Sequence, residues 1–443
     1  MINTYHSVSL LAFRQAGLRG QGFIRGETLI SSIITQIAKY EFARVMRFTE
    51  GMTPRIGSGG DGIARLLYIH IPFCERLCPY CSFNRILLDV SLCRRYFQAL
   101  RREIRFYKER EFDFQSIYVG GGTPTVLIDE MEETLALARE CFNVREISLE
   151  TNPNHLTGAN IAVLKRAGVK RLSVGIQSFD DDLLRRMERY DSYGSAAFIA
   201  QRIKEILGEF QTVNADMIFN FPTQTLAMLE KDLDVLTGLS VDQITYYPLM
   251  VSDSTRKRIR RVLGNVHYRR EARFYDRIAG RLTPSYRFSS AWCFSKTASP
   301  IDEYIVQYDE YAGLGSGSIG YLQGTCYANT FDIPHYIDQI EGGKMPLMAA
   351  RDFSFADRIR YDFLLKLFGM NLDLNALRVK YGKGFRWHLL PYLLAFSLAG
   401  SLRVRGPEIT LTPRGRYHWV IMMREFFIAV NNFRDFCRTR PLP

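Results

Sequence analysis

Several absences narrow the possibilities before any motif is read. No hydrophobic run is long enough to span a bilayer: the longest near-apolar stretch, WHLLPYLLAFSLAG from Trp387, falls short of the roughly 20 apolar residues that a membrane helix needs. The N-terminal MINTYHSVSLLAF lacks the basic flank and small-residue cleavage site of a secretory signal, so none is expected. There is no internal repeat beyond an alternation of strand and helix patterns, and no low-complexity segment. A disulfide framework is also missing. Of eight cysteines, Cys93, Cys141, Cys293, Cys326 and Cys437 are dispersed, which suits a reducing cytoplasm. Most telling, the one tight cysteine cluster has no fourth cysteine and no second pair nearby, whereas structural zinc usually takes four ligands in two pairs.

What is present begins with size and charge. At 443 residues the chain is long enough for two domains or for one large domain with an appendage. Its 58 Lys and Arg against 46 Asp and Glu give a formal charge of +12. The densest basic run, RKRIRR at Arg256 to Arg261, reads as a solvated helix face and not as a nucleic-acid footprint. An anionic substrate or an anionic membrane surface fits the balance.

Residues 1–64 read as an N-terminal arm. Ile30, Ile33, Ile34 and Ile37 share one face of an amphipathic helix expected to stop at Gly51, and GSGGDG from Gly57 reads as a flexible joint. The arm serves either as a lid or as a peripheral contact with the inner face of the membrane, and the lid is the preferred expectation. From Arg65 the pattern turns to short β-rich runs alternating with amphipathic segments. RLLYIHI, SIYVGG, EISLE, RLSVGI, VNADMIF and QITYYPL, starting at Arg65, Ser116, Glu146, Arg171, Val213 and Gln243, are the expected strands. Six βα units in sequence predict an α/β fold, a partial (β/α)6 barrel over 65–250. A barrel extension on the substrate side follows over 251–350. An α+β, winged-helix-like cap then covers 351–443, with helices at about 355–400, the hairpin LRVRGPEITLT and a last amphipathic helix.

The cysteine cluster is YIHIPFCERLCPYCSFNR, with Cys74, Cys78 and Cys81 at spacing C-x3-C-x2-C just after the first strand. A redox pair would need only C-x2-C and leaves Cys74 unexplained. Three thiolates can hold three irons of a [4Fe-4S] cluster and leave the fourth open to a ligand. The loop follows a strand end, on the face where barrel chemistry sits.

With that spacing, and with Tyr80 just before the third cysteine, the segment resembles the radical S-adenosylmethionine (SAM) superfamily. YIHIPFC, GGGTPT at Gly120, LETNP at Leu149, RLSVGIQSF at Arg171 and DMIFNFP at Asp216 narrow the resemblance to the oxygen-independent coproporphyrinogen III oxidase-like (HemN-like) branch. The likeness is close over about 65–250 and loose over about 350–425. It implies Cys74, Cys78 and Cys81 as cluster ligands. It also implies SAM contacts from Gly121, Gly122 and Thr123 and from Glu150, Gln177 and Asp216, with Arg189 on the SAM carboxylate and Tyr68 and His70 lining the pocket. The implied cofactors are a [4Fe-4S] cluster and one or two SAM molecules, and the implied electron donor is reduced flavodoxin or ferredoxin.

Within the branch, coproporphyrinogen oxidases carry a further cysteine where this chain has Phe83, and heme chaperones carry a histidine-containing segment where this chain reads IDEYIVQYDEY. SAWCF at Ser290, DEYIVQYDEYAGLGSGSIGY and the MMREFF tail resemble the class C methyltransferases that act on the menaquinone ring. Methylation of an sp2 ring carbon is therefore the leading expectation, with Asp302, Glu303 or Tyr304 as proton acceptor. Tyr246, Tyr247, Trp292, Tyr304, Tyr308 and Tyr311 are expected to stack on the ring. A tetrapyrrole enzyme, performing coproporphyrinogen III oxidation or heme ring opening, or a heme-binding chaperone is the alternative. Few arginines, Arg287 and the basic run, are expected to meet its carboxylates.

Overall fold

Six strands lie side by side and parallel in the computed structural model, which describes residues 23–50, 56–63, 65–298, 300 and 304–439. They are β1 (Arg65–Ile71), β2 (Ser116–Gly121), β3 (Glu146–Thr151), β4 (Arg171–Gln177), β5 (Thr212–Phe219) and β6 (Gln243–Pro248), paired in chain order. All six coincide with the runs read from the sequence. Their near-continuous apolar composition is that of strands covered on both faces, and β1 is buried along its whole length. The crossover helices start where the sequence offers an oxygen to the first free amides. Asp89, Thr157, Ser195 and Thr225 each accept a hydrogen bond from the first turn of the helix that follows. The result is the expected α/β partial barrel.

The sheet runs further than the six strands, to thirteen in all. Next to β1 lies β7 (Glu310–Leu314), also parallel. Beyond it come β8 (Ile319–Leu322), β9 (Thr325–Asn329) and β10 (Leu347–Asp352), all antiparallel. On the other side, Cys293–Ser295 pairs antiparallel with β6. Tyr304–Gln307 is one helical turn, and β7 begins at Glu310.

Helices and a small sheet follow the last strand of the large sheet. Helices Phe355–Phe368, Leu374–Tyr381 and Phe385–Leu398 stand with a three-stranded sheet formed by Asn371–Asp373, Leu402–Arg405 and Glu408–Leu411. The last helix, Pro413–Thr439, runs on well past the predicted amphipathic stretch. Its Arg424, only 1% exposed, is fixed between Glu271 and Glu425, which ties the helix to the barrel side.

Two expectations for the arm are corrected. The helix Phe23–Val45 ends six residues before Gly51, because Thr49–Glu50 leaves it to pair with β10. Its buried face is Ile34, Ala38 and Phe42, while Ile37 is exposed; small Ala38 lets the last helix approach closely, and Phe42 meets Phe426 edge-on at 5.5 Å. The supposed joint is pinned. Gly57 N–H donates to Gln323, Ser58 donates to Glu111, and Asp61 pairs with the buried Arg65.

Candidate active site

One cavity of about 340 Å³ opens at the C-terminal ends of the parallel strands. Cys74, Cys78 and Cys81 form one wall. The loop that carries them is held by its own backbone and by Arg85, whose guanidinium donates to the carbonyls of Cys78 (2.6 Å) and Cys81 (2.9 Å). Behind Cys74, Gly122 is required for space: a Cβ there would stand 2.5 Å from Phe73 O and 3.0 Å from Cys74 Sγ. Gly121 has φ +118° and faces the His70 ring, so a side chain there is excluded on both counts.

The next wall consists of polar groups at strand ends. Glu150, on β3, accepts from Tyr118 Oη at 2.8 Å and from Gly121 N–H at 3.2 Å. Asp216, on β5, accepts from Ser173 Oγ at 2.6 Å and from Asn214 Nδ2 at 2.8 Å. Gln177 ends β4 in the left-handed region, φ +76°, at a break in register with β5 that turns it toward the mouth. Arg189 is buried. It donates to Asn152 Oδ1 (3.0 Å) and Gly175 O (2.5 Å), and its Nη1 stands 3.6 Å from Cys78 Sγ. Thr123 links the two walls, donating to Cys74 Sγ and accepting from Asn152 Nδ2 at 2.8 Å.

Of the residues expected to meet SAM, all but His70 line the cavity. His70 is fully buried behind Tyr68. Its Nε2 faces the carbonyl of Asn84 (2.8 Å) and so carries the proton, which leaves Nδ1 to accept from Tyr68 Oη (2.9 Å). Burial pulls its pKa down to about 3, so it supports Tyr68 as a neutral ring. Asp302 and Glu303 lie outside the described residues, and Tyr304 opens a helical turn whose position is all that is described of it.

The far wall differs from the one expected. Tyr247 and Tyr311 line the cavity, but Tyr246 and Trp292 are buried away from it, Tyr308 does not reach it, and Arg287 is exposed on an edge strand. In their place stand Tyr321, Phe353, Tyr361 and Cys326, together with Phe426, Phe427 and Arg434 of the last helix. Sequence reasoning also missed Asn152, although LETNP contained it, and Arg85, which follows the cysteine loop directly.

The donor set fits an iron–sulfur cluster. Among the described residues no three His, Cys, Asp or Glu side chains gather closely enough to hold a single ion. Three thiols arrayed on one wall, with a bare glycine behind one of them, suit a larger group. Burial, with the neighbouring Cys81, pushes the Cys74 thiol up to about 12, so it keeps its proton unless a cation displaces it.

Barrel, cysteine loop and strand-end carboxylates define a class, and the comparisons agree with it. The Radical SAM superfamily model matches residues 68–236, and the chain belongs to that superfamily, which uses a [4Fe-4S] cluster and SAM. Within it, the relatives are HemN-like. The chain is 30% identical to the heme chaperone HemW of Bacillus subtilis (strain 168) over 316 residues, 68% of this chain and 82% of that protein. It is 23% identical to the oxygen-independent coproporphyrinogen III oxidase of Pseudomonas aeruginosa, over 79% of this chain and 82% of that one. In structure it resembles coproporphyrinogen III oxidase (HemN) from Escherichia coli, with a TM-score of 0.73 and 22% identity, covering 86% of this chain and 95% of that one.

Proposed function

We propose that the chain is a radical SAM enzyme acting on a tetrapyrrole. Cys74, Cys78 and Cys81 hold the cluster, and Gly121, Gly122, Glu150, Gln177, Arg189 and Asp216 receive SAM beside it. The observation that carries this reading is one cavity that brings thiols and strand-end polar groups together with a wall of flat rings. When bound, cluster and SAM supply a carbon radical that removes a hydrogen atom from the substrate.

The chain's own residues orient and enclose. Tyr118 and the Gly121 amide fix the rotamer of Glu150, so that its carboxylate meets a hydroxyl or an amine without reorganising. Tyr311, Tyr321, Phe353 and Tyr361 offer faces and edges to a macrocycle. Arg434, on the last helix, offers a guanidinium to a substrate carboxylate. Met46 and the last helix close the mouth against water.

The relatives named above work on heme or coproporphyrinogen by their names, which supports the tetrapyrrole reading over methylation of menaquinone. Methyl transfer keeps only the motif resemblance of the tail. The test is anoxic incubation of the reconstituted protein with SAM and, separately, coproporphyrinogen III and heme. Formation of 5′-deoxyadenosine in step with tetrapyrrole consumption is expected. Stoichiometric heme binding without 5′-deoxyadenosine replaces the enzyme by a carrier. A menaquinone heavier by one methyl group, with both tetrapyrroles untouched, restores methylation.

A further inference from the structure

The helix Phe385–Leu398 of the cap buries only Phe385 and Leu389. The opposite side carries Trp387, 78% exposed, Leu390, 43%, Leu394, 55%, and Leu398, 78%. These positions recur at helical spacing and form one apolar stripe facing water. The helix contains no acidic residue. Exposed Lys383 and Arg386 stand at its start, and exposed Arg403 and Arg405 follow on the hairpin just past its end. An apolar stripe with Trp at one end and basic residues at both is the composition of a helix that lies in the plane of a membrane surface.

We infer that this face of the cap docks on an anionic lipid surface. A second copy of the chain is the weaker occupant. At 1.5 Å per residue the stripe is roughly 17 Å long and about 10 Å wide, far below the ~800 Å² per partner that a stable interface takes. Two copies would also bring the same basic residues together. The net charge of +12 favours an anionic surface. The inference is independent of the substrate, because none of the stripe residues lines the cavity.

The chain carries its own reporter. Of its three tryptophans, Trp292 and Trp419 are fully buried and Trp387 is exposed. Full-length protein is titrated with phosphatidylcholine vesicles, with and without phosphatidylglycerol, while tryptophan emission and co-sedimentation are followed. Anionic vesicles should shift emission to the blue and protect it from iodide, with binding about tenfold or more stronger than to neutral vesicles. Leu394→Glu, alone or with Leu390→Glu, should abolish both signals while SAM cleavage and the melting profile stay at the parent level. Emission unmoved by anionic vesicles overturns the inference. So does a blue shift that grows with protein concentration in the absence of lipid, which assigns the face to a second copy. Equal binding to neutral and anionic vesicles overturns the role of charge.

Discussion

Arg189 Nη1 stands 3.6 Å from Cys78 Sγ, and one guanidinium thereby joins the cysteine loop to the strand-end wall. Its Nη2 is held by Asn152 Oδ1 and Gly175 O. An arginine fixed at this point can pair with the SAM carboxylate without first being ordered. Arg189→Ala should raise the KM for SAM by about 10- to 100-fold, the value of one charge-assisted hydrogen bond. Iron content should hold, and Arg189→Lys should recover part of the loss. Iron lost from both variants makes Arg189 a brace for the loop.

Changing any one of Cys74, Cys78 and Cys81 to Ala should abolish SAM cleavage and lower the iron content of anoxically reconstituted protein. Cys141, partly exposed on the helix Ile128–Cys141, is the control: Cys141→Ser should retain about four irons, the content of a [4Fe-4S] cluster. Zinc in place of iron in the anoxic parent protein refutes the assignment.

The parallel strands were legible because each is a short apolar run closed by glycine, proline or a capping residue, and the polar residues at their ends were legible with them. The added strands β8 and β9, interior to the enlarged sheet, were not. They are four and five residues long, buried at nearly every position, and so show no alternation to read. The far wall of the cavity was missed for another reason. Phe426 and Arg434 meet residues more than 340 positions earlier in the chain, as Arg434 does at Phe83, and no local pattern encodes such a contact. His70 was misplaced because alternation gives the side of a strand but not which layer of side chains reaches the cavity.

A buried acid ties stability to pH. Glu103 is fully buried, accepting from Gly315 N–H, Asn329 and Tyr336, and burial raises its pKa from 4.5 to about 7. Between those values the folded state holds a proton that the unfolded state has released, so Glu103 lowers stability as pH rises, by at most about 1.4 kcal/mol per pH unit. Buried His70 and His418, depressed to about 3 and about 4, act in the opposite sense below pH ~6.5. The clean readout is a difference. Denaturation of parent and Glu103→Gln should show the variant gaining on the parent from pH 5 to 8. A constant gap contradicts the assignment.

The N-terminal helix should stabilise the last helix and, through it, the mouth of the cavity. Phe42 is 8% exposed and packs on Phe426. Phe42→Ala should cost about 3 kcal/mol. Val45 and Met46, just beyond it, line the cavity, so turnover should fall while SAM binding is kept. Deleting residues 1–50 should exaggerate both effects. Unchanged turnover in the deletion refutes a lid.

Arg434 separates a tetrapyrrole from a quinone most directly. It lines the cavity, is steadied by Asn431 Oδ1 at 3.0 Å, and lies 5.2 Å from the centre of the Phe83 ring. Phe83 is the position at which coproporphyrinogen oxidases are expected to carry a cysteine, so the last helix brings its arginine to the place where the chain departs from them. A guanidinium beside aromatic walls recognises a flat macrocycle that bears carboxylates, whereas a quinone ring offers it only neutral oxygens. Arg434→Gln should therefore weaken a carboxylate-bearing tetrapyrrole by about 10-fold or more, one charged hydrogen bond. The affinity for SAM should not change. The methyl ester of the same tetrapyrrole supplies the second arm: it should bind parent and variant alike. An equal loss for acid and ester, or no loss for the acid, removes Arg434 from carboxylate recognition and returns the cavity to a neutral ring.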